Sequence, residues 1–173
     1  MKRKVEIADY AGKIMTETSK GILLTTKADG QVNTMTIGWG FLGIQWAKPI
    51  FVVLVRQSRH TKKMLDENPE FTINVPLGAI DPKILGTCGT KSGRDLDKFQ
   101  ELGLVTEPGM TVSVPGIRQL PLTLECKVLY QQDQDAAAID AAALERYYAK
   151  GTRNDGDYHT MYIGEITAAY IIE

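Results

Sequence analysis

The run IFVVLV, residues 50–55, sets six apolar side chains in succession directly after Pro49. Its shortness and its β-branched residues favour a strand over a helix, and its lack of alternation means that both faces are buried. The rest of the chain must therefore cover two sides of this strand.

The other strand candidates can do so. GILLTTKADGQVNTMTIGW forms a hairpin around Ala28-Asp29-Gly30, and EFTINVP follows Asn68-Pro69. PLTLECKVLY (121–130) alternates, with Leu122, Leu124, Cys126, Val128 and Tyr130 on one face. The last segment, YHTMYIGEITAAYII, is long and rich in β-branched and aromatic residues, with His159, Met161, Ile163 and Glu165 on one face.

Helices are expected over 9–19, ended by Gly21 as a left-handed cap, and over 58–67 with Ser58 or Thr61 as N-cap. Two short helices separated by GTKSG are expected within 79–102. A continuous helix is expected between Asp135 and Gly151, where alanines dominate. Short strands with few, peripheral helices predict a mainly β protein, a β-barrel with helical decoration.

A length of 173 residues suits one domain spanning 1–173, with the helical segment at about 133–157 as an insertion. Twenty basic residues against 21 acidic ones argue against nucleic-acid binding, so any cationic site must be local. MKRKVEIADYAGK has no apolar stretch behind its basic residues, and no run is long enough to span a bilayer, which predicts no membrane association and a soluble, cytoplasmic protein. Cys88 and Cys126 stand 38 positions apart with no CxxC, as expected of reduced thiols and not of a zinc set.

Several stretches carry possible chemistry. VRQSRHTKK joins two guanidiniums, two hydroxyls and a helix start between Arg56 and Thr61, which suits a phosphate, although taken alone a solvated basic helix start is the commoner case. KSGRDLDKF is not a Walker A motif, because the two positions that require glycine are Thr90 and Leu85. Lys98 and Phe99 could offer a cation and an aromatic plate, or be a snorkelling lysine beside a core phenylalanine. His159 follows the loop-like GTRNDGD and could serve as proton donor or hydrogen-bond partner. Trp39 and Trp46 bracket what reads as a glycine-spaced loop, fitting a ligand rim slightly better than a core. NTMTIGWG (33–40) is consistent with either a barrel core or a ligand wall.

In this order, NTMTIGW, RQSRHT, EFTINVP, SGRDLDKF, an LEC strand and DYHTMYIGEI resemble the flavin reductase-like, FMN-binding family that includes the flavoredoxins. The resemblance covers roughly residues 18–130 and 157–170 and leaves the Ala-rich segment as the divergent part. It implies a split β-barrel that binds FMN non-covalently and forms a homodimer. By the same resemblance, Asn33, Met35, Thr36, Ile37 and Trp39 lie against the isoalloxazine. Arg56, Ser58, Arg59 and Thr61 hold the phosphate, Lys98 and Phe99 approach the flavin, and His159 positions a nicotinamide reductant. The implied activity is electron transfer from NAD(P)H, or from a redox protein, through FMN to an acceptor. A flavin-binding electron carrier without its own nicotinamide site is the alternative.

Overall fold

The computed structural model describes residues 1–173. After a short strand β1 (Lys2–Lys4), helix α1 (Ile7–Lys20) leads into the hairpin β2 (Ile22–Ala28) and β3 (Gln31–Ile37). A second hairpin follows, β4 (Gly40–Gln45) and β5 (Lys48–Arg56), and then α2 (His60–Glu67) and β6 (Glu70–Val75). Helices α3 (Pro82–Thr90) and α4 (Lys98–Leu102) precede the two-residue strands β7 (Thr106–Glu107) and β8 (Gly116–Ile117). The long strands β9 (Leu122–Asp133) and β10 (His159–Ile172) flank a 3₁₀ turn at Ala136–Ala138 and the helix α5 (Ala141–Tyr147).

The main sheet is antiparallel and runs β3-β2-β6-β9-β10-β5-β4, with β1 added beside β10. Its two ends, β3 and β4, are consecutive in the chain yet exchange no ladder hydrogen bonds. The chain turns that corner at Gly38-Trp39, so the barrel is split there.

The main core lies inside the curved sheet, where Phe51, Val53 and Val55 meet Leu24, Phe71, Ile73, Leu124 and Tyr162, with Ile14 of α1 closing one end. The IFVVLV strand is covered on both faces, because Ile50 and Val52 form a second cluster with Ile163. Phe71 packs so closely across β10 that a Cβ at Gly164 would stand 2.5 Å from its ring.

Five sequence expectations change here. The segment 135–151 is not one helix: Asp140 accepts the Ala143 N–H at 3.1 Å and caps a new start, leaving only a 3₁₀ turn before it. Asp favours caps over helix interiors because its side chain competes for backbone N–H groups, and that preference outweighs the alanines. Neither Ser58 nor Thr61 caps α2; Arg59 occupies the N-cap without a side-chain bond. Gly21 closes α1 at φ 118°, ψ 129°, outside the left-handed helical region. The supposed loop GFLGIQ is strand β4, and the turn falls at Trp46-Ala47, both at positive φ. β9 is buried on both faces between Leu122 and Cys126, because the 104–120 segment covers Thr123 and Glu125. Both cysteines are buried and unpaired, Cys126 in the core as its alternation predicts.

Candidate functional site

Two cavities open along the outer edge of β3 and share Met35 and Arg59. One, of about 170 Å³, lies at the split between β3 and β4 and reaches Trp39, Arg56 and His159. The other, of about 110 Å³, lies between the α2 start and the α3–α4 loop. Together they form a trough with a cationic and an aromatic end, and no Asp or Glu lines either part.

The cationic end is built by Arg59, Lys91, Arg94 and Lys98, none of which forms an ion pair. Lys98 is 4% exposed, and its Nζ donates to the carbonyls of Thr34 (2.8 Å) and Cys88 (3.3 Å). Burial lowers its pKa, with the neighbouring Arg59 charge adding to the effect. A buried ammonium bonded only to carbonyls stands in a field that an anion would complete. α2 begins here with no acidic residue in its first turn, and His60 Nδ1 is buried without a partner. Burial, then the Arg94 charge, lowers the His60 pKa.

Gly93 keeps this end open. Asn33 Nδ2 donates to Thr61 Oγ1 at 3.0 Å, and a Cβ at Gly93 would come 2.2 Å from Asn33 Oδ1. Lys98 reaches the cavity because Asp97 caps α4 through the N–H groups of Phe99 and Gln100.

At the aromatic end the segment expected to be an insertion, which connects β9 to β10, folds back onto the barrel. The Tyr147 ring meets Trp39 edge-on at 4.9 Å, and Trp39 lies 5.0 Å from His159. Arg56 donates to the carbonyls of Asp157 (2.8 Å) and Tyr147 (3.3 Å) and sits over the Tyr148 ring. Ser58 gives its N–H and hydroxyl to the Asp157 carboxylate at 2.9 and 2.6 Å. Burial, reinforced by Arg56, holds His159 down at a pKa of about 4, so its imidazole is neutral at physiological pH.

Of the residues singled out from sequence, the trough gathers Asn33, Met35, Thr36, Ile37, Trp39, Arg56, Ser58, Arg59, Thr61, Lys98 and His159. Phe99 lines neither part; it packs with Leu23, Ile84 and Leu104 in a separate core. Arg56 and Ser58 give the polar contacts just described to the insertion, and Thr61 serves Asn33. Sequence reasoning missed His60, Lys91 and Arg94 as site residues. The signal for the last two was present, since KSGRD carries two cations around a glycine, and His60 stands within the RQSRHT motif. It also missed Tyr147, Tyr148 and Asp157, which reach the site only because the insertion folds back.

A family model described as flavin reductase like domain matches residues 15–173. Among curated relatives, an uncharacterized protein of Archaeoglobus fulgidus is 27% identical over 134 residues, 78% of this chain and 62% of that one. An uncharacterized protein of Escherichia coli is 27% identical over 127 residues, 69% of this chain and 66% of that one. The chain thus spans somewhat less than two thirds of the length of these relatives. Among solved structures, the flavoredoxin of Desulfovibrio vulgaris (Miyazaki F) superposes with a TM-score of 0.66 at 26% identity, covering 88% of this chain and 69% of that one. An FMN-binding domain of a flavin reductase-like enzyme from Shewanella baltica superposes at 0.64 with 17% identity, over 99% of this chain and 77% of that one. The split sheet has the same architecture as these domains, the family model runs from α1 to the last residue, and the chain belongs to the flavin reductase-like domain family.

Proposed function

We propose that the chain is an FMN-binding oxidoreductase that passes electrons from NAD(P)H, or from a redox partner, through bound FMN to an acceptor. One observation carries this reading: a carboxylate-free cationic cavity floored by buried Lys98 runs into one along β3 whose wall joins Met35, Ile37, Trp39 and Leu54 to Arg56 and His159. A phosphate satisfies the first and a flat ring the second.

The residues present fit FMN. Arg59, Arg94 and Lys98, with the α2 start, would hold its phosphate; Met35, Thr36, Ile37 and Trp39 would lie along its ring. Bound there, FMN would supply the redox centre, and the protein its orientation and electrostatics. Lys98 and the neighbouring cations favour negative charge in the trough, and Met35, Ile37, Trp39 and Leu54 offer the ring apolar contact.

The test is a reconstitution. Protein incubated with FMN and desalted should be yellow, and anaerobic NADH or NADPH should bleach it; protein that stays colourless would overturn the reading. A carrier without its own nicotinamide site has one observation in its favour, because Tyr147 packs edge-on against Trp39, which lines the trough. Bleaching by a reduced protein donor but by neither nicotinamide would select it.

The same reading includes a homodimer. Phe41, Trp46 and Tyr130 are 41–61% exposed and stand together with the partly buried Met161 over Val52 and Ile163. Such an apolar patch is larger than isolated surface residues and suits a second copy of the chain. Phe41→Glu should give a monomer by light scattering; an unchanged mass would place the interface elsewhere.

A further inference from the structure

The segment 134–158 does more than pack beside the trough, because it sets the protonation pattern of His159. Gln134 Oε1 accepts the His159 backbone N–H at 3.1 Å, which fixes the orientation of the amide; flipped, its NH2 would face this N–H. The same oxygen lies 3.0 Å from Tyr148 Oη and has no proton to give, so the tyrosine hydroxyl donates to it. That contact uses the only proton Tyr148 has. The 2.6 Å contact between Tyr148 Oη and His159 Nδ1 is then made by a proton on Nδ1. A neutral imidazole protonated at Nδ1 has a bare lone pair at Nε2. Nε2 makes no hydrogen bond within the chain, and the imidazole lines the aromatic end of the trough.

We infer that Tyr148 and Gln134 are positioning residues that lock His159 as the Nδ1–H tautomer, so that its bare Nε2 accepts a hydrogen bond from an N–H group of the reductant. Under the oxidoreductase reading, on which this assignment of partner rests, the chemistry that fits is a primary carboxamide such as that of a dihydronicotinamide. The relay itself rests on the hydrogen-bond geometry alone. It joins three places in the chain, the end of β9, the turn after α5 and the first residue of β10, so the insertion is what makes His159 an acceptor and not a donor.

The first measurement needs no cofactor and no variant. Long-range ¹H–¹⁵N correlation of the imidazoles in the uniformly labelled chain, which has only two histidines, should show His159 as the Nδ1–H tautomer. An Nε2–H signal for His159 would overturn the relay. Tyr148→Phe keeps the ring beside Arg56 and Tyr158 and removes only the hydroxyl; it should turn the single tautomer into a mixture.

The second measurement uses FMN-loaded protein and compares NADH with its reduced 3-acetylpyridine analogue, whose acetyl group has no N–H. In the wild type the KM for the analogue should be about tenfold higher, the value of one neutral hydrogen bond, with kcat much less affected. In Tyr148→Phe the ratio of the two KM values should fall towards one. Equal ratios in wild type and variant would overturn the carboxamide assignment. Failure of both NADH and NADPH to reduce FMN-loaded wild type would overturn the nicotinamide reading and that assignment with it, while the tautomer spectrum still decides the relay.

Discussion

The two ends of the trough are made in different ways. The cationic end is set into the barrel: Lys98 is 4% exposed, and Asn33 and Thr61 are buried and bonded to each other. The aromatic end is finished by residues 134–158, whose helix α5 has no buried residue and which is held to the barrel chiefly by polar contacts from Arg56, Ser58 and His159. A site with one fixed end and one lightly held end can keep a cofactor while its other face is opened for exchange.

Acid should separate the two halves most strongly. His159 has a folded pKa of about 4 against an ordinary value near 6.5, so the unfolded chain binds more protons between these limits. Its contribution, ~3 kcal/mol, is present above pH 6.5 and is lost as the pH falls towards 4. Arg56 and Arg59 lower this pKa further while Asp157 opposes them. Denaturant titrations from pH 7.5 to 4.5 should show stability declining with acid in the wild type and less steeply in His159→Gln; identical slopes would mean that this histidine does not titrate across folding.

Lys98→Met tests the fixed end. Loss of a charge-assisted contact of roughly 2–3 kcal/mol should weaken FMN binding by about 30- to 150-fold. Because the ammonium is buried without a counter-charge, the flavin-free melting temperature should change by only a few degrees. A collapse of the fold with proportionate loss of FMN would make Lys98 structural.

Gly93→Ala adds one methyl against Asn33 without altering charge. Displacing Asn33 should cost about 1–2 kcal/mol in FMN affinity, measured by fluorescence quenching. Arg59→Ala should weaken FMN by about tenfold with little effect on folding, since its side chain makes no capping bond and forms no ion pair. Thr61→Ala differs, because it leaves the buried Asn33 amide without its acceptor and so also lowers stability.

The smallest effect is expected from Asp157→Asn. It weakens one end of the insertion and should raise hydrogen exchange in residues 134–158 by a few fold, about 0.5–1 kcal/mol, leaving the β5–β10 ladder unchanged. Exchange rising equally in both would erase the distinction between the halves.

The same division explains what could be read from sequence. The strands were legible because IFVVLV, EFTINVP and the last segment carry their β-branched and apolar signal within a few residues, and the motif around Arg56 sits at the end of one of them while that around Lys98 opens α4. The aromatic end was not, since Arg56 meets Asp157 and Tyr147 across 101 and 91 positions, distances over which local pattern is silent. The alanine-rich segment misled for a local reason: composition favours a helix throughout, whereas one carboxylate at Asp140 starts it anew. Phe99 shows the reverse case, a residue placed beside a ligand by resemblance that lines neither cavity and packs, partly buried, against a separate hydrophobic cluster.

The split at Gly38-Trp39 has one further consequence. A strand at the end of a sheet carries amides and carbonyls with no ladder partner, normally a liability that invites another chain. On β3 the Thr34 carbonyl takes Lys98 instead of a strand, and in a pleated strand the backbone of Thr36, two residues on, faces the same way. An imide edge, carbonyl, N–H, carbonyl, repeats the alternation of a peptide, so the gap left by an unclosed barrel has the hydrogen-bonding grammar of a missing strand and can be completed by a small molecule.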